Sequence, residues 1–170
     1  MADQSVTTTL PESREDIDRL DFSRTNCGRS GLRTRFFTVA MAKMVGDTGR
    51  VIAVDLQTEM LEMARRNAER AGLQSRIRFH QSQPDSIGVI EPADFAIAVW
   101  MVHEVPNAEG FLGQVRAFLK PGGRFLLIEP KVHVSAVDFQ KTVDLASAVG
   151  LKPTSSPKIG ISRAMLFSRE

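Results

Sequence analysis

Short apolar runs interleaved with segments of helical apolar periodicity constrain this chain more than any other feature. Val51-Ile-Ala-Val54 is a continuous β-branched run that ends on Asp55, and Ile77 to Phe79, Ala93 to Trp100 and Arg124 to Ile128 repeat the pattern. Runs of this kind belong to strands buried on both faces of a parallel sheet. Between them lie helical faces. One runs from Phe36 to Val45 and is broken by Gly46-Asp-Thr-Gly49; a second opens with Thr58 as its cap, carries Leu61, Ala64 and Ala68, and stops at Gly72. Phe111, Val115 and Phe118 form a third, ended by a turn at Lys120-Pro-Gly-Gly123, and Phe139, Val143, Leu145 and Ala146 a fourth, closed by Gly150. Alternating strands and helices require right-handed crossovers and a sheet covered on both faces. The fold class expected is therefore α/β, doubly wound and mostly parallel. Leu151 to Ile159 and Ala164 to Phe167 pair antiparallel at the carboxyl end, with Ala164 to Phe167 at the sheet edge. The core expected comprises Val39, Ile52, Val54, Leu61, Phe95, Ile97, Val115, Phe125, Leu127 and Leu145.

At 170 residues with 42% hydrophobic and 25% charged side chains, one domain of ordinary composition is expected, which excludes fibrous and wholly disordered classes. Residues 1–20 read as a loose amino-terminal arm with a short helix from Ser13 to Leu20, and residues 21–170 as the domain. A formal charge of +2 with no basic tract argues against nucleic acid or an anionic membrane as partner. Cys27 is the single cysteine, so no internal disulfide forms, and no His or Cys stands at metal-ligand spacing from it. No basic segment followed by an apolar one opens the chain, and no window reaches the roughly 20 apolar residues of a membrane span. A cytoplasmic protein is expected.

In doubly wound sheets ligands sit at the carboxyl ends of the strands. The candidate site is thus built from the residues after each strand: Asp55 to Gln57, His80 to Gln83, Trp100 to Glu104 and Glu129 to His133. A carboxylate such as Asp55 at a strand end accepts both hydroxyls of a ribose in nucleotide-binding α/β folds, or else favours the following helix by its charge. His103 with Glu104 reads either as a proton acceptor with its orienting partner, since imidazole titrates near neutrality, or as polar bracing of a turn. His133 has the same two readings.

Four segments carry a family resemblance: Gly49-Arg-Val-Ile-Ala-Val-Asp55-Leu-Gln, Glu59-Met-Leu-Glu-Met-Ala-Arg-Arg-Asn-Ala, Trp100-Met-Val-His-Glu-Val-Pro-Asn and Leu119-Lys-Pro-Gly-Gly-Arg. In this order and spacing, from about Phe36 to the end, the chain resembles the class I S-adenosylmethionine-dependent methyltransferases, particularly small members related to quinone-biosynthesis and arsenite methyltransferases. The resemblance implies a Rossmann-like fold, S-adenosylmethionine as cofactor and a small-molecule methyl acceptor. It implies that Asp55 binds the cofactor ribose, that Leu56 flanks the adenine, and that Trp100 and Met101 line the methionine part and the methyl-transfer opening. Gln83 stands where the family often has an acid that reaches the adenine amino group. His103 is the candidate catalytic residue. No insertion or lid is evident, so acceptor selection falls to the short arm or to a second subunit, which admits a homo-oligomer.

The chain departs from the family at the glycine-rich loop after the first strand. Alignment back from Asp55 places Gly31, Arg33 and Arg35 on the three glycines, with Arg35 about 20 residues before the acid. Only Gly31 remains as a glycine among the candidate cofactor-binding residues. Asp21 to Ser30 is also too polar for a first strand buried on both faces. Two function classes are compatible with this: a methyltransferase with an altered or misrecorded loop, or a non-catalytic relative that has lost cofactor binding through Arg33 and Arg35. A nucleotide-dependent oxidoreductase is disfavoured by the carboxyl-terminal strand pair. Gly31-Leu-Arg-Thr-Arg35 can be encoded GGG CTG CGG ACC CGG, which one base later reads Gly-Cys-Gly-Pro-Gly. Cys27-Gly-Arg-Ser as TGT GGT CGA TCT yields Val-Val-Asp-Leu in the same shifted frame. The expectation is an out-of-frame stretch over roughly residues 22–35, bounded by two compensating shifts. Sequencing the gene's codons for residues 27–35 checks this, and a codon set that gives no glycine-rich loop in another frame overturns it.

Overall fold

The structure, a computed structural model, describes residues 6–8 and 34–170. The elements in chain order are β1 (Val6–Thr8), α1 (Thr34–Met44), β2 (Val51–Asp55), α2 (Thr58–Arg70), β3 (Ile77–Gln81), β4 (Ala93–Val99), α3 (Ala108–Phe118), β5 (Leu119–Pro130), α4 (Ala136–Ala148), β6 (Leu151–Ser155) and β7 (Ser162–Arg169). They build one seven-stranded sheet in the order β3-β2-β1-β4-β5-β7-β6. β2 pairs parallel with β3 and β4 with β5, whereas β1 is antiparallel to both β2 and β4, and β7 to both β5 and β6. Five strands thus point one way and only β1 and β7 oppose them.

Both faces are covered, as continuous apolar strands demand. Along β4, Phe95 and Ile97 enter the cluster that holds Met41 and Ala42 of α1 and Ala68 of α2, while Ala96 and Ala98 enter the cluster that holds Leu112 and Val115 of α3 and Phe139 and Val143 of α4. Most of the expected core is buried: Val54, Leu61, Phe95, Ile97, Val115, Phe125 and Leu127. Val39, Ile52 and Leu145 are instead partly exposed and pack against the core from its margin.

The helix ends follow local chemistry. Leu61, Ala64 and Ala68 are the buried positions of α2, one stripe at helical spacing. Past its end Gly72 takes φ +67°, and the Leu73 N–H reaches the Ala68 carbonyl at 2.9 Å, which satisfies a terminal acceptor through a conformation that costs glycine little. Thr58 does not cap this helix. Gln57 holds the cap position without a side-chain bond, because the Asp55 carboxylate takes the Gln57 N–H and starts the helix one residue early. Asn107 caps α3 by accepting the Gly110 N–H, and Ser135 caps α4 by accepting that of Asp138.

Three further expectations are corrected. Lys120 to Gly123 does not end in a separate turn but forms a bulge within β5: Ala93 pairs with Leu119 and Phe95 with Arg124, and Gly122 at φ +76° lets the extra residues loop out. Ala164 to Phe167 is not at the sheet edge, since β7 lies between β5 and β6. The edge belongs to β6, whose Pro153 has no N–H to offer a further strand. Val6–Thr8, placed in the loose arm by its composition, occupies the centre of the sheet. The short helix expected from Ser13 to Leu20, and Cys27, Gly31 and Arg33, lie outside the described residues. Among the described residues no helix is long and apolar enough to cross a membrane.

Among the described strands β1 alone pairs with both β2 and β4, so a lost bond in β1 leaves buried groups on its neighbours unpaired. Thr7→Pro removes a ladder donor in this central strand, and at about 1–3 kcal/mol for an unsatisfied buried group it should lower Tm by several degrees in a thermal melt. A Tm within about one degree of the parent would show that β1 carries no weight in the sheet.

Candidate active site

Two strands end the same way: Val-Ile-Ala-Val-Asp in β2 and Phe-Leu-Leu-Ile-Glu before the last residue of β5 put an acid at the sheet's carboxyl edge after an apolar run. Asp55 and Glu129 are each 1% exposed, so the fold places two carboxylates in a region where charge is costly unless bonded. Each is bonded differently, and the site has two halves accordingly.

Asp55 Oδ1 accepts the N–H of Gln57 at 2.8 Å, and its carbonyl accepts that of Ser82 at 3.0 Å, which ties the end of β2 to the end of β3. Gln81 Nε2 reaches the Leu56 carbonyl at 3.1 Å. Beyond this joint, Gln83 and Ser86 bond each other's backbone at 2.8 and 3.2 Å in a tight turn. Gln114 of α3 then clamps the following loop: its Oε1 takes the Ile87 N–H at 2.8 Å and its Nε2 donates to the Asp85 carbonyl at 2.9 Å. The turn closes over a cavity of about 230 Å³ lined by Val54, Gln83, Met101, Val105, Phe111 and Gln114, among others. That is smaller than the roughly 300–1,000 Å³ of pockets that enclose a whole small-molecule ligand, and suits one ring system of a larger one. Gln83 and Met101 are therefore brought together. Asp55 and Leu56 stand at the same sheet edge outside the cavity lining, and Trp100 lies elsewhere.

In the second half, β4 ends at Val99 and Trp100 adopts φ +57°, a left-handed conformation that is rare for a bulky side chain and costs about 1–3 kcal/mol. Its N–H is held by the Ile128 carbonyl at 2.8 Å and its indole Nε1 donates to Ser162 Oγ at 3.0 Å. Met101, fully buried, leads into the 3-10 turn Val102–Glu104 that carries His103. Glu129 grips His103 twice: Oε2 lies 2.5 Å from ring Nδ1 and Oε1 accepts the backbone N–H at 3.2 Å. The His133 ring lies nearly parallel to the His103 ring with centroids 6.3 Å apart.

His103 thus meets two carboxylates, Glu129 closely and Glu104 at a longer distance. Glu104 Oε1 is 3.5 Å from the other ring nitrogen, Nε2, on an exposed side chain. Sequence reasoning included Glu129 among the residues after the strands without giving it a role, and it missed Gln114. The signal for Glu129 was available in the apolar run ending in an acid, the same pattern that singled out Asp55; Gln114 lies on a helix at no distinctive spacing.

A family profile described as a methyltransferase domain matches residues 30–123, more than half of the chain. The chain belongs to this methyltransferase-domain family. It is 30% identical over 93 residues to a ubiquinone/menaquinone biosynthesis C-methyltransferase of Enterobacter, a match that takes in 54% of this chain and 37% of the relative. It is 29% identical over 104 residues to a demethylmenaquinone methyltransferase of Lactobacillus johnsonii, covering 61% and 41% respectively. These matches span about two-fifths of the curated relatives' length. Among solved structures, a SAM-dependent methyltransferase from Aquifex aeolicus superposes with a TM-score of 0.72 at 20% identity, over 82% of this chain and 79% of that one. The [4+2]-cyclase SpnF also superposes, with a TM-score of 0.62 at 13% identity over 76% and 69%. The shared architecture therefore fixes the fold, and the chemistry has to be argued from the site.

Burial is the larger influence on Glu129 and holds its carboxyl above the usual glutamate range, while His103 pulls it down. A carboxyl raised by folding stabilises the native state in its protonated form, so that contribution is complete below the ordinary glutamate pKa and is lost as pH rises through the raised value. Glu129→Gln, neutral throughout, should match the parent's Tm near about pH 4 and equal or exceed it near about pH 8. A parent more stable than the variant at the higher pH would show that the bond to His103 outweighs the cost of burial.

Proposed function

We propose that this chain transfers a methyl group from S-adenosylmethionine to a small-molecule acceptor that loses a proton as it is methylated, with His103 as the proton acceptor and Glu129 as the residue that orients it. The observation that carries this reading is the two-point grip of Glu129 on His103 at the carboxyl edge of the sheet. A carboxylate against Nδ1 keeps the ring proton on that nitrogen and leaves Nε2 as the basic one. Fixing the backbone N–H of the same residue prevents the ring from drifting with its turn. Glu104, 3.5 Å from Nε2, is placed to stabilise the imidazolium formed on proton uptake.

The residues of the first half suit the cofactor. The cavity beside Gln83 and Met101 is of adenine size, and the buried Asp55 carboxylate lies next to it at the end of β2. Asp55 would accept the ribose hydroxyls, Leu56 would flank the base, Gln83 would meet the adenine edge through its amide, and Trp100 and Met101 would border the methionine part. Gly31, the remaining candidate, lies outside the described residues. When bound, S-adenosylmethionine supplies an electrophilic methyl group on a sulfonium, so positioning by the protein accounts for much of the rate and the base adds to it. The relatives' names point to quinone precursors methylated at carbon, and in the hydroquinone form of such a ring removal of a hydroxyl proton makes the carbon nucleophilic.

Calorimetric titration with S-adenosylmethionine tests the reading first. Binding is expected, and Asp55→Ala should weaken it tenfold or more, since a charged hydrogen bond in a buried site is worth about 1.5–3 kcal/mol. No heat from the parent protein would favour the alternative of a chain that has lost cofactor binding through Arg33 and Arg35. With a naphthoquinol acceptor, His103→Ala should lower kcat by about 10²–10⁴ at unchanged cofactor affinity. A loss below about tenfold would leave positioning alone as the source of catalysis.

A further inference from the structure

We infer that Ser162, on β7, is a positioning residue for the His103–Glu129 pair, acting through Trp100. The inference rests on the methyl-transfer reading for its consequence in catalysis but not for its geometry. Trp100 is the one non-glycine residue with positive φ among the described residues, and such a conformation persists in a bulky residue only when its surroundings hold it. Its backbone is bonded to Ile128 at 2.8 Å, and its indole N–H, the only hydrogen-bonding group of the side chain, is bonded to Ser162 Oγ at 3.0 Å. Ser162 is itself fixed. It is 8% exposed, sits opposite Pro130 in the β5–β7 ladder, and donates its N–H to the Ile159 carbonyl at 2.8 Å.

The indole therefore reaches from the end of β4 past β5 to β7, and packs against the cluster that contains Ile128, Ile159 and Ala164. The turn after Trp100 has little slack. Met101 is fully buried, its carbonyl accepts the Glu104 N–H at 3.0 Å, and His103 lies between them with its own N–H on Glu129. If Trp100 relaxes to an ordinary backbone conformation, the direction of this turn changes and the ring of His103 leaves the Glu129 carboxylate. Glu129 cannot follow, because it is paired with Arg163 on β7 and the residue before it, Ile128, with Val99 on β4. The strain at Trp100 and the bond to Ser162 are of similar size, so loss of the hydroxyl is enough to tip the balance.

The chain has one tryptophan and three histidines, which makes both ends of this link directly observable. In the full chain, Ser162→Ala should red-shift the tryptophan emission, raise its quenching by acrylamide, and move the ring signals of His103, assigned with His103→Gln, in a proton–carbon correlation spectrum. It should lower kcat at least tenfold, whereas Ser162→Thr, which keeps the hydroxyl, restores all of these. Trp100→Phe removes the donor and leaves Ser162 in place, and it should displace the same His103 signals, so it decides the matter if Ser162→Ala folds poorly. Unchanged His103 signals in both variants, or a defect that Ser162→Thr does not repair, would overturn the inference. The fluorescence and spectral readouts need no turnover. A parent protein that binds no S-adenosylmethionine would sink the functional reading while leaving this link still to be decided by them.

Discussion

The sheet depends on a ladder of three residues. Val6, Thr7 and Thr8 pair with Val54, Ala53 and Ile52 on one side and with Ala98, Ile97 and Ala96 on the other, and among the described residues no other strand joins β2 to β4. The half that carries Asp55 and the half that carries His103 and Glu129 are held in register by that ladder. Its direction matters as much as its length. Thr8 lies beside Ile52 and Ala96, so the chain leaves β1 at the end of the sheet away from Asp55, whereas a strand parallel to its neighbours would deliver the following loop to the site.

Around that seam, the two halves of the site use one device. An apolar strand ends in a carboxylate that is buried because the strand is, and one of the acid's oxygens fixes neighbouring backbone: Asp55 Oδ1 that of Gln57, Glu129 Oε1 that of His103. Burial makes each carboxylate a strong acceptor, and strand pairing makes its position rigid. Gln114 does similar work from a helix, bonding both sides of the loop that closes the cavity. Regular elements thus fix the connections that carry His103 and Gln83.

Most of this architecture was legible in the sequence because it rests on period and composition. Val51 to Asp55 and Ala93 to Val99 announce buried strands by themselves, and Leu61, Ala64 and Ala68 announce a helix. What escaped was set by partners distant in sequence. No local rule places Val6–Thr8 between two strands some 45 and 90 residues away. Glu104 is next to His103 in sequence and does contact its ring, but the shorter contact, from Glu129, comes from the next strand in the sheet and no local spacing announces it. The bulge at Pro121–Gly123 was read as a turn because proline and glycine mark both; pairing across Ala93 and Phe95 distinguishes them.

The two borders of the sheet have consequences for what the molecule meets in a crowded solution. At β6, Pro153 withholds a donor, the pairing with β7 slips between Pro153 and Ser155, and the exposed Lys152 is held by Glu170. A bare strand edge is a template on which any extended chain can add itself, and a missing donor, a kink and a charge each spoil the template. At the opposite border, β3 carries Arg78 in an ion pair with Glu91, which sets a charged pair along the exposed ladder. A sheet with both rims blunted in this way offers a poor template for strand addition at either border, although its centre is sealed by so short a strand.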